Sequence, residues 1–323
     1  MKFRPPRPKG QPNLGDLDLD PRVDYCIACG SQKLESARLI IQRMPTIEYR
    51  NCQTCSAKFV DRQPTELFLS DYYQPDRYLG TVAGSKKNAN RFAKRILSKS
   101  VREGLGSLTH TPKILDFGGG TCQLGIALRN SLGRPESNIV VMDLHAPIQK
   151  LDIEYVPSGR LNSLQSEQFD LVISSAAVEH LKRPGSVLQG LYTSCAMNGF
   201  MYFRVPSNFP LSKLFPSLSF WPEHLPHLGP RFWDQIPKVL GWSVKTIYSR
   251  PSIPDGSLSS NPVGYLASTI LKIPSRIEVA VREKLTQGSI ARYECAGGWE
   301  VMYQRIPKYS EDFNLSQSTN SRC

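Results

Sequence analysis

Long hydrophobic runs are missing: nowhere in the 323 residues do 18 apolar side chains follow one another, so no membrane-spanning helix is expected. The first ten residues likewise lack an apolar core, carrying Lys2, Arg4, Arg7 and Lys9 among prolines, and a cytoplasmic protein is expected. Acidic residues are scarce, 28 against 40 Lys and Arg for a net charge of +12, and none occurs between Lys86 and Arg102. Internal repeats are absent, which excludes a solenoid or propeller. Disorder is excluded as well, because hydrophobic residues make up 40% and charged residues 21% of the chain, ordinary globular usage. Length allows one large unit and one small one.

The acid-free stretch carries Lys86, Lys87, Arg91, Lys94, Arg95, Lys99 and Arg102, with Phe92, Ala93, Ile96 and Leu97 at helical spacing. It predicts one amphipathic helix stopped by Gly104. Its basic face is either simply solvated or turned toward an anionic partner: a phosphorylated or nucleotide-linked substrate, a membrane surface or nucleic acid.

Eight cysteines without an export signal argue for metal or reactive roles before disulfides. Cys26 and Cys29 form one CxxC pair, Cys52 and Cys55 a second, with 22 residues between them. Each pair places two thiolates on one tight turn, and two facing turns complete a tetrahedral S4 site suited to structural zinc, with no open position for catalysis. A redox CxxC does not account for a second pair at this spacing. Gly30 follows the first knuckle, where positive φ is often needed, whereas Ser56 stands in the equivalent place after the second. Strands are predicted for Ala37–Arg43 and Thr46–Arg50 about a turn at Met44-Pro45. Cys122, Cys195, Cys295 and Cys323 are scattered singles, read as small core or surface residues.

From Lys113 onward, apolar strand runs alternate with helical patterns, the layout of a mostly parallel sheet covered on both faces. The expected strands are Lys113–Phe117, Asn138–Asp143, Asp152–Val156, Phe169–Ser174, Gly199–Val205, Trp242–Tyr248 and Trp299–Ile306, the last antiparallel at or near an edge. The first runs into Gly118-Gly119-Gly120 and then a helix from about Gln123, a turn whose glycines let the backbone approach a ligand and whose helix N-terminus offers free N–H groups. Asp143 closes the next strand, where a carboxylate can accept both hydroxyls of a ribose.

Asp116-Phe117-Gly118-Gly119-Gly120, then Val140-Val141-Met142-Asp143, then Phe169 through Leu181 (FDLVISSAAVEHL) resemble motif I, the acidic end of strand two and the strand-four motif of class I S-adenosylmethionine-dependent methyltransferases. The resemblance covers roughly residues 80 to 306. The cysteine module ahead of it resembles the zinc ribbon fused to some bacterial methyltransferases that modify sugars and small metabolites. What the resemblance implies is an α/β fold, a doubly wound, mostly parallel, seven-stranded Rossmann-like sheet. It also implies S-adenosylmethionine as cofactor, with Asp116, Gly118 and Gly120 holding its methionine part and Asp143 its ribose, and Gly119 and Ser174 among the contacts. Two features depart from the family: Cys122 stands where a further glycine is frequent, and Ser158-Gly159-Arg160 where an acid near the adenine is frequent, which leaves the adenine contact unassigned. A nicotinamide dehydrogenase shares the strand, turn and acid, but the turn is not GxGxxG and the FDLVIS block has no counterpart there.

Methyl transfer is an in-line displacement that needs a positioned acceptor and, for a hydroxyl or acidic C–H, a base. Three of the five histidines fall after strands four and five: His180, His224 and His227. His180 with Glu179 is read either as a site group or as a helix cap. The segment Phe220 to Leu228 is read either as an active-site cover or as a packed loop. Tyr72, Tyr73 and Tyr78 are read either as part of the pocket wall or as packing, with packing preferred. The organisation expected is a basic tail (1–21), a zinc ribbon (22–62), a helical linker (63–110), a methyltransferase domain (111–309) with an insertion at 250–298, and a tail (310–323). Val263–Lys272 and Ser275–Leu285 in the insertion are expected to be helices broken at Pro274. The leading functional expectation is methylation of a small-molecule or glycan acceptor, polar and anionic. An RNA methyltransferase and a non-catalytic binding protein on the same fold are the alternatives.

Overall fold

The structure, a computed structural model, describes residues 13–73, 86–144, 153–164, 166–206, 220–252 and 298–308, with scattered positions between 266 and 281. The tails, Tyr78 and most of the 250–298 insertion lie outside the described residues; of its two expected helices, Leu266, Thr269 and Ile270 and then Arg276, Ile277, Glu278 and Val281 are helical, with the turn at Lys272 and with Pro274 itself helical.

Seven strands form the large sheet: β4 (Lys113–Phe117), β5 (Asn138–Asp143), β6 (Glu154–Pro157), β7 (Phe169–Ser175), β8 (Cys195–Val205), β10 (Val244–Pro251) and β11 (Trp299–Arg305). Their order is β10-β11-β8-β7-β4-β5-β6. The five on the β8 to β6 side run parallel, and β11 is antiparallel to both of its neighbours. The fold is therefore the doubly wound, Rossmann-like class expected. The core strands read as near-continuous apolar runs because helices cover both faces, and six of the seven residues of β7 are buried.

Alternation along each strand sorts the core into two layers. Ile114, Ile139, Val141, Leu171 and Ile173 face the helices α2 (Lys86–Ile96), α3 (Lys99–Gly106) and α4 (Gln123–Leu132). Leu115, Phe117, Val140, Met142 and Val172 face α5 (Pro184–Ser194) and α6 (Pro230–Val239). The single helix expected over the basic stretch is two helices. Ser98 is extended (φ −58°, ψ 166°) at the start of α3, and the bend lets Phe92, Ala93, Ile96 and Leu97 on one segment and Val101 and Leu105 on the next stay buried. The second segment runs past Gly104 to Gly106. Two of its cations are engaged within the fold: Arg95 pairs with the fully buried Glu300, and Arg102 donates to the Ser131 carbonyl at 2.8 Å.

A second, antiparallel sheet joins β1 (Leu34–Arg43), β2 (Thr46–Cys52), β3 (Lys58–Val60) and β9 (Pro226–His227) in that order. Its first three strands come from the cysteine module and its fourth from the Phe220 to Leu228 segment. Helix α1 (Glu66–Tyr72) begins at Thr65, whose side chain accepts from the Phe68 N–H, and packs Leu69 with Tyr49, Trp221 and Leu225. Among the described residues no helix is long and apolar enough to cross a membrane.

Candidate active site

The two CxxC turns have the same local geometry. Gly30 N donates to Cys26 O at 2.8 Å and Cys26 N to Ser31 O at 2.8 Å, while Ser56 N donates to Cys52 O and Cys52 N to Ala57 O, both at 2.9 Å. Gly30 has φ +75° and Ser56 φ +62°, so the serine takes the left-handed conformation that glycine takes in the first turn. The turns face each other and bring the sulfurs of Cys26, Cys29, Cys52 and Cys55 within 4.8 Å of one another. Cys26 Sγ lies 3.5 Å from Cys55 Sγ and Cys29 Sγ 3.6 Å from Cys52 Sγ. Sulfurs about 2.3 Å from a tetrahedral zinc stand ~3.8 Å apart, so the cage fits that ion closely. Hydrogen bonds within the cluster hold the Cys29 and Cys52 thiols below their ordinary pKa, with Cys26 and Cys55 pushed up as the protonated partners. The module is locked to the large domain by close backbone approach: a methyl group on Gly185 of α5 would sit 2.1 Å from the Ala28 carbonyl oxygen.

The glycine turn follows β4 at the carboxyl edge of the parallel strands. Gly118 has φ +69°, and a methyl group there would lie 2.2 Å from Ala177 Cβ, so glycine is required twice over. Asp116 is buried beneath the turn: its carboxylate accepts from Gly125 N at 3.1 Å, and burial pushes its pKa up to about 7. Gly119 closes over that carboxylate, since a methyl group on it would meet Asp116 Cγ at 2.7 Å. Asp143 ties the turn to β5, accepting from Gly120 N at 2.8 Å and Leu144 N at 2.6 Å. Cys122 begins α4 at φ +57°, which accounts for the frequency of glycine there in the family it resembles.

A crevice open to solvent lies over this turn, lined by Phe117, Gly118, Met142, Asp143, Ser158 and Ala177 and by Tyr73, His180 and Leu181. Of the residues the sequence singled out for cofactor or acceptor, Gly118, Asp143 and His180 line this crevice. Asp116, Gly119 and Gly120 belong to the turn or lie beneath it without lining the crevice, and Ser174 is fully buried, its hydroxyl without a hydrogen-bond partner among the described residues. Ser158 occupies the place where the sequence left the adenine contact open. Tyr73, for which packing is the preferred reading, instead lines the crevice and places its hydroxyl 3.0 Å from His180 Nδ1. Its position depends on α1 docking beside the 220–228 segment, a tertiary arrangement without a local sequence signal.

His180 sits on a short 3-10 turn after β7, Val178 to His180. Its Nδ1 lies 3.0 Å from the Glu223 carbonyl, which can only accept, so the proton resides on Nδ1 and the lone pair on Nε2. Burial lowers the pKa of His180 and, more strongly, of His224, whose ring centroid is 5.0 Å from that of His180. Both are neutral imidazoles at neutral pH. The ring nitrogens of His180 and His224 and the buried Glu179 carboxylate come within 4.8 Å of one another. Tyr72 donates to Glu223 Oε1 at 2.7 Å and completes the polar rim. His227, third in the sequence reading, is 2% exposed and belongs to the small sheet.

No curated protein matches the chain. Among solved structures, it is similar to a SAM-dependent methyltransferase from Archaeoglobus fulgidus, with 17% identity, 75% of this chain and 100% of that chain covered, and a TM-score of 0.42. It is also similar to the 1,6-didemethyltoxoflavin-N1-methyltransferase of Burkholderia thailandensis, with 10% identity, coverage of 74% and 86%, and a TM-score of 0.43. A family model described as a methyltransferase domain matches residues 86–245, the stretch that holds the glycine turn, Asp143, His180, His224 and His227.

Proposed function

We propose that the protein is an S-adenosylmethionine-dependent methyltransferase acting on a small-molecule or glycan acceptor, with a structural zinc held by Cys26, Cys29, Cys52 and Cys55. The observation that carries the reading is one crevice lined both by the Gly118 turn with Asp143 and by a neutral His180. When bound, S-adenosylmethionine supplies an electrophilic methyl group that leaves its sulfonium for a nucleophilic acceptor atom. Gly118 admits the amino-acid part of that ligand close to the backbone, and Asp143 offers a carboxylate for the ribose hydroxyls. Asp116 and Gly119 hold the turn in shape. As the acceptor forms its new bond to carbon, a proton on the acceptor atom passes to the lone pair of His180 Nε2, and the resulting imidazolium is stabilised by the Glu223 carbonyl on Nδ1. His224, neutral and in ring contact with His180, is the second candidate base. The commitment of Arg95 and Arg102 to the fold removes part of the basic face on which an RNA acceptor would depend.

Calorimetric titration with S-adenosylhomocysteine tests this reading. The wild-type chain is expected to bind it, and Asp143→Ala to bind at least about tenfold more weakly, the loss that goes with a charge-assisted hydrogen bond. Absence of binding by well-folded wild-type protein, or an unchanged affinity in the variant, overturns the cofactor assignment.

A further inference from the structure

The segment that places the Glu223 carbonyl and the His224 ring against His180 is held on one side by the cysteine module. Strand β9 pairs antiparallel with β3, Lys58 opposite His227 and Phe59 opposite Pro226. Val60 N donates to Leu225 O at 3.3 Å, and Leu225 N donates to Glu179 O at 2.8 Å. The residue after His224 is thus bonded on one side to the module and on the other to the turn that bears His180. Beneath this junction Tyr49 of β2 is fully buried, with its hydroxyl 3.4 Å from the His224 carbonyl and 3.1 Å from His227 Nε2. The Tyr49 oxygen thus stands between His227 Nε2 and the His224 carbonyl, and a chain of polar contacts runs from His227 through Tyr49 to the backbone of His224. The two rings also touch, centroids 5.2 Å apart.

We infer that Tyr49 and His227 are positioning residues for the acceptor side of the crevice: through them the small sheet sets where the His224 and His180 rings stand, while the cofactor side is set independently by β4 and β5. The inference deepens the acceptor-site reading above and takes its functional meaning from it. A pair that merely filled space would satisfy its own hydrogen bonds without affecting the rings of His180 and His224.

The test is nitrogen-15 histidine NMR on the full chain, with the signals of His180, His224 and His227 assigned by single histidine-to-glutamine substitution. In Tyr49→Phe, which keeps the ring and removes the hydroxyl, the His224 and His180 ring signals are expected to shift and to titrate closer to the ordinary histidine range. Affinity for S-adenosylhomocysteine is expected to stay within about twofold, because a change below 0.4 kcal/mol is what an untouched cofactor wall allows. Shifts confined to His227, with His180 and His224 unmoved, overturn the inference. Should Tyr49→Phe fail to fold, His227→Phe breaks the same chain of bonds from the other end and is read by the same criterion. The spectra need no ligand, so a chain that binds no S-adenosylhomocysteine refutes the proposed function while the coupling between sheet and rings is still decided.

Discussion

Three histidines in one region, His224 and His227 buried and His180 half-buried, make the protein's response to acid a residue-scale property. Burial drives His227 down to about 3, and His180 and His224 are lowered by the same cause. The folded pKa of each lies below the unfolded value of about 6.5, so the fold favours the neutral ring. That contribution is complete above the unfolded pKa and is lost as pH falls, because the unfolded chain takes up protons that the native state refuses. Each histidine adds a slope of about 1.4 kcal/mol per pH unit in the window between its two pKa values. Urea melts of wild type and His227→Gln at about pH 6, 5 and 4 are expected to show a smaller loss with acid in the variant, by roughly one proton's worth of slope. Equal slopes refute the neutral burial of His227. Asp116 has the opposite sign, since its pKa is raised, and comparing two chains that both retain it cancels its part. Single residues also show where composition misleads: Ser56 and Cys122 take left-handed backbone that their side chains disfavour, because the second cysteine turn and the start of α4 require it.

At the scale of elements, the central parallel strands were legible because they are buried on both faces and so are written as apolar runs. Lys113–Phe117 and Asn138–Asp143 match the expected bounds residue for residue. The cysteine spacing was legible because a knuckle is a local structure. What was not legible depends on contacts distant in sequence. Strand β9 is two residues long and begins with a proline, and it is a strand only because Lys58 and Phe59 lie beside it. Tyr73 joins the crevice only because α1 docks there, and the break at Ser98 follows from fitting an apolar stripe to a curved sheet. The seam between α5 and the first cysteine turn is equally invisible in the sequence, yet it leaves no room for a side chain at Gly185. Gly185→Ala must displace backbone instead of a flexible side chain, and a loss of about 1 to 3 kcal/mol is expected in denaturant unfolding. A variant as stable as wild type would mean that α5 and the turn do not meet as closely as 2.1 Å implies.

At the scale of the whole molecule, the cysteine module shares its cores with the large domain and is not an appendage. Cys26, Ile27, Ala28, Cys52 and Cys55 share a core with Leu188, Phe232 and Trp233 of the large domain, and Tyr49 and Val60 share another with Trp221 and Leu225. Metal analysis is expected to find about one zinc per chain. Stripping it with a strong chelator is expected to lower the melting temperature of the entire chain in one cooperative transition, and to raise the accessibility of Trp221 and Trp233 to a fluorescence quencher. A metal-free chain that melts like the untreated one would mean that the four thiols need no ion to hold the turns together.

Because β9 is lent by the far half of the chain, no cut made between the module and the rest yields two finished pieces. An isolated N-terminal fragment would present Phe59 and Val60 along a bare, unpaired margin, inviting self-association. The remainder would keep its seven strands but leave Pro226 and His227 with nothing to lie against. Exchange of modules between related enzymes would therefore succeed only when the two-residue strand travels with its three companions.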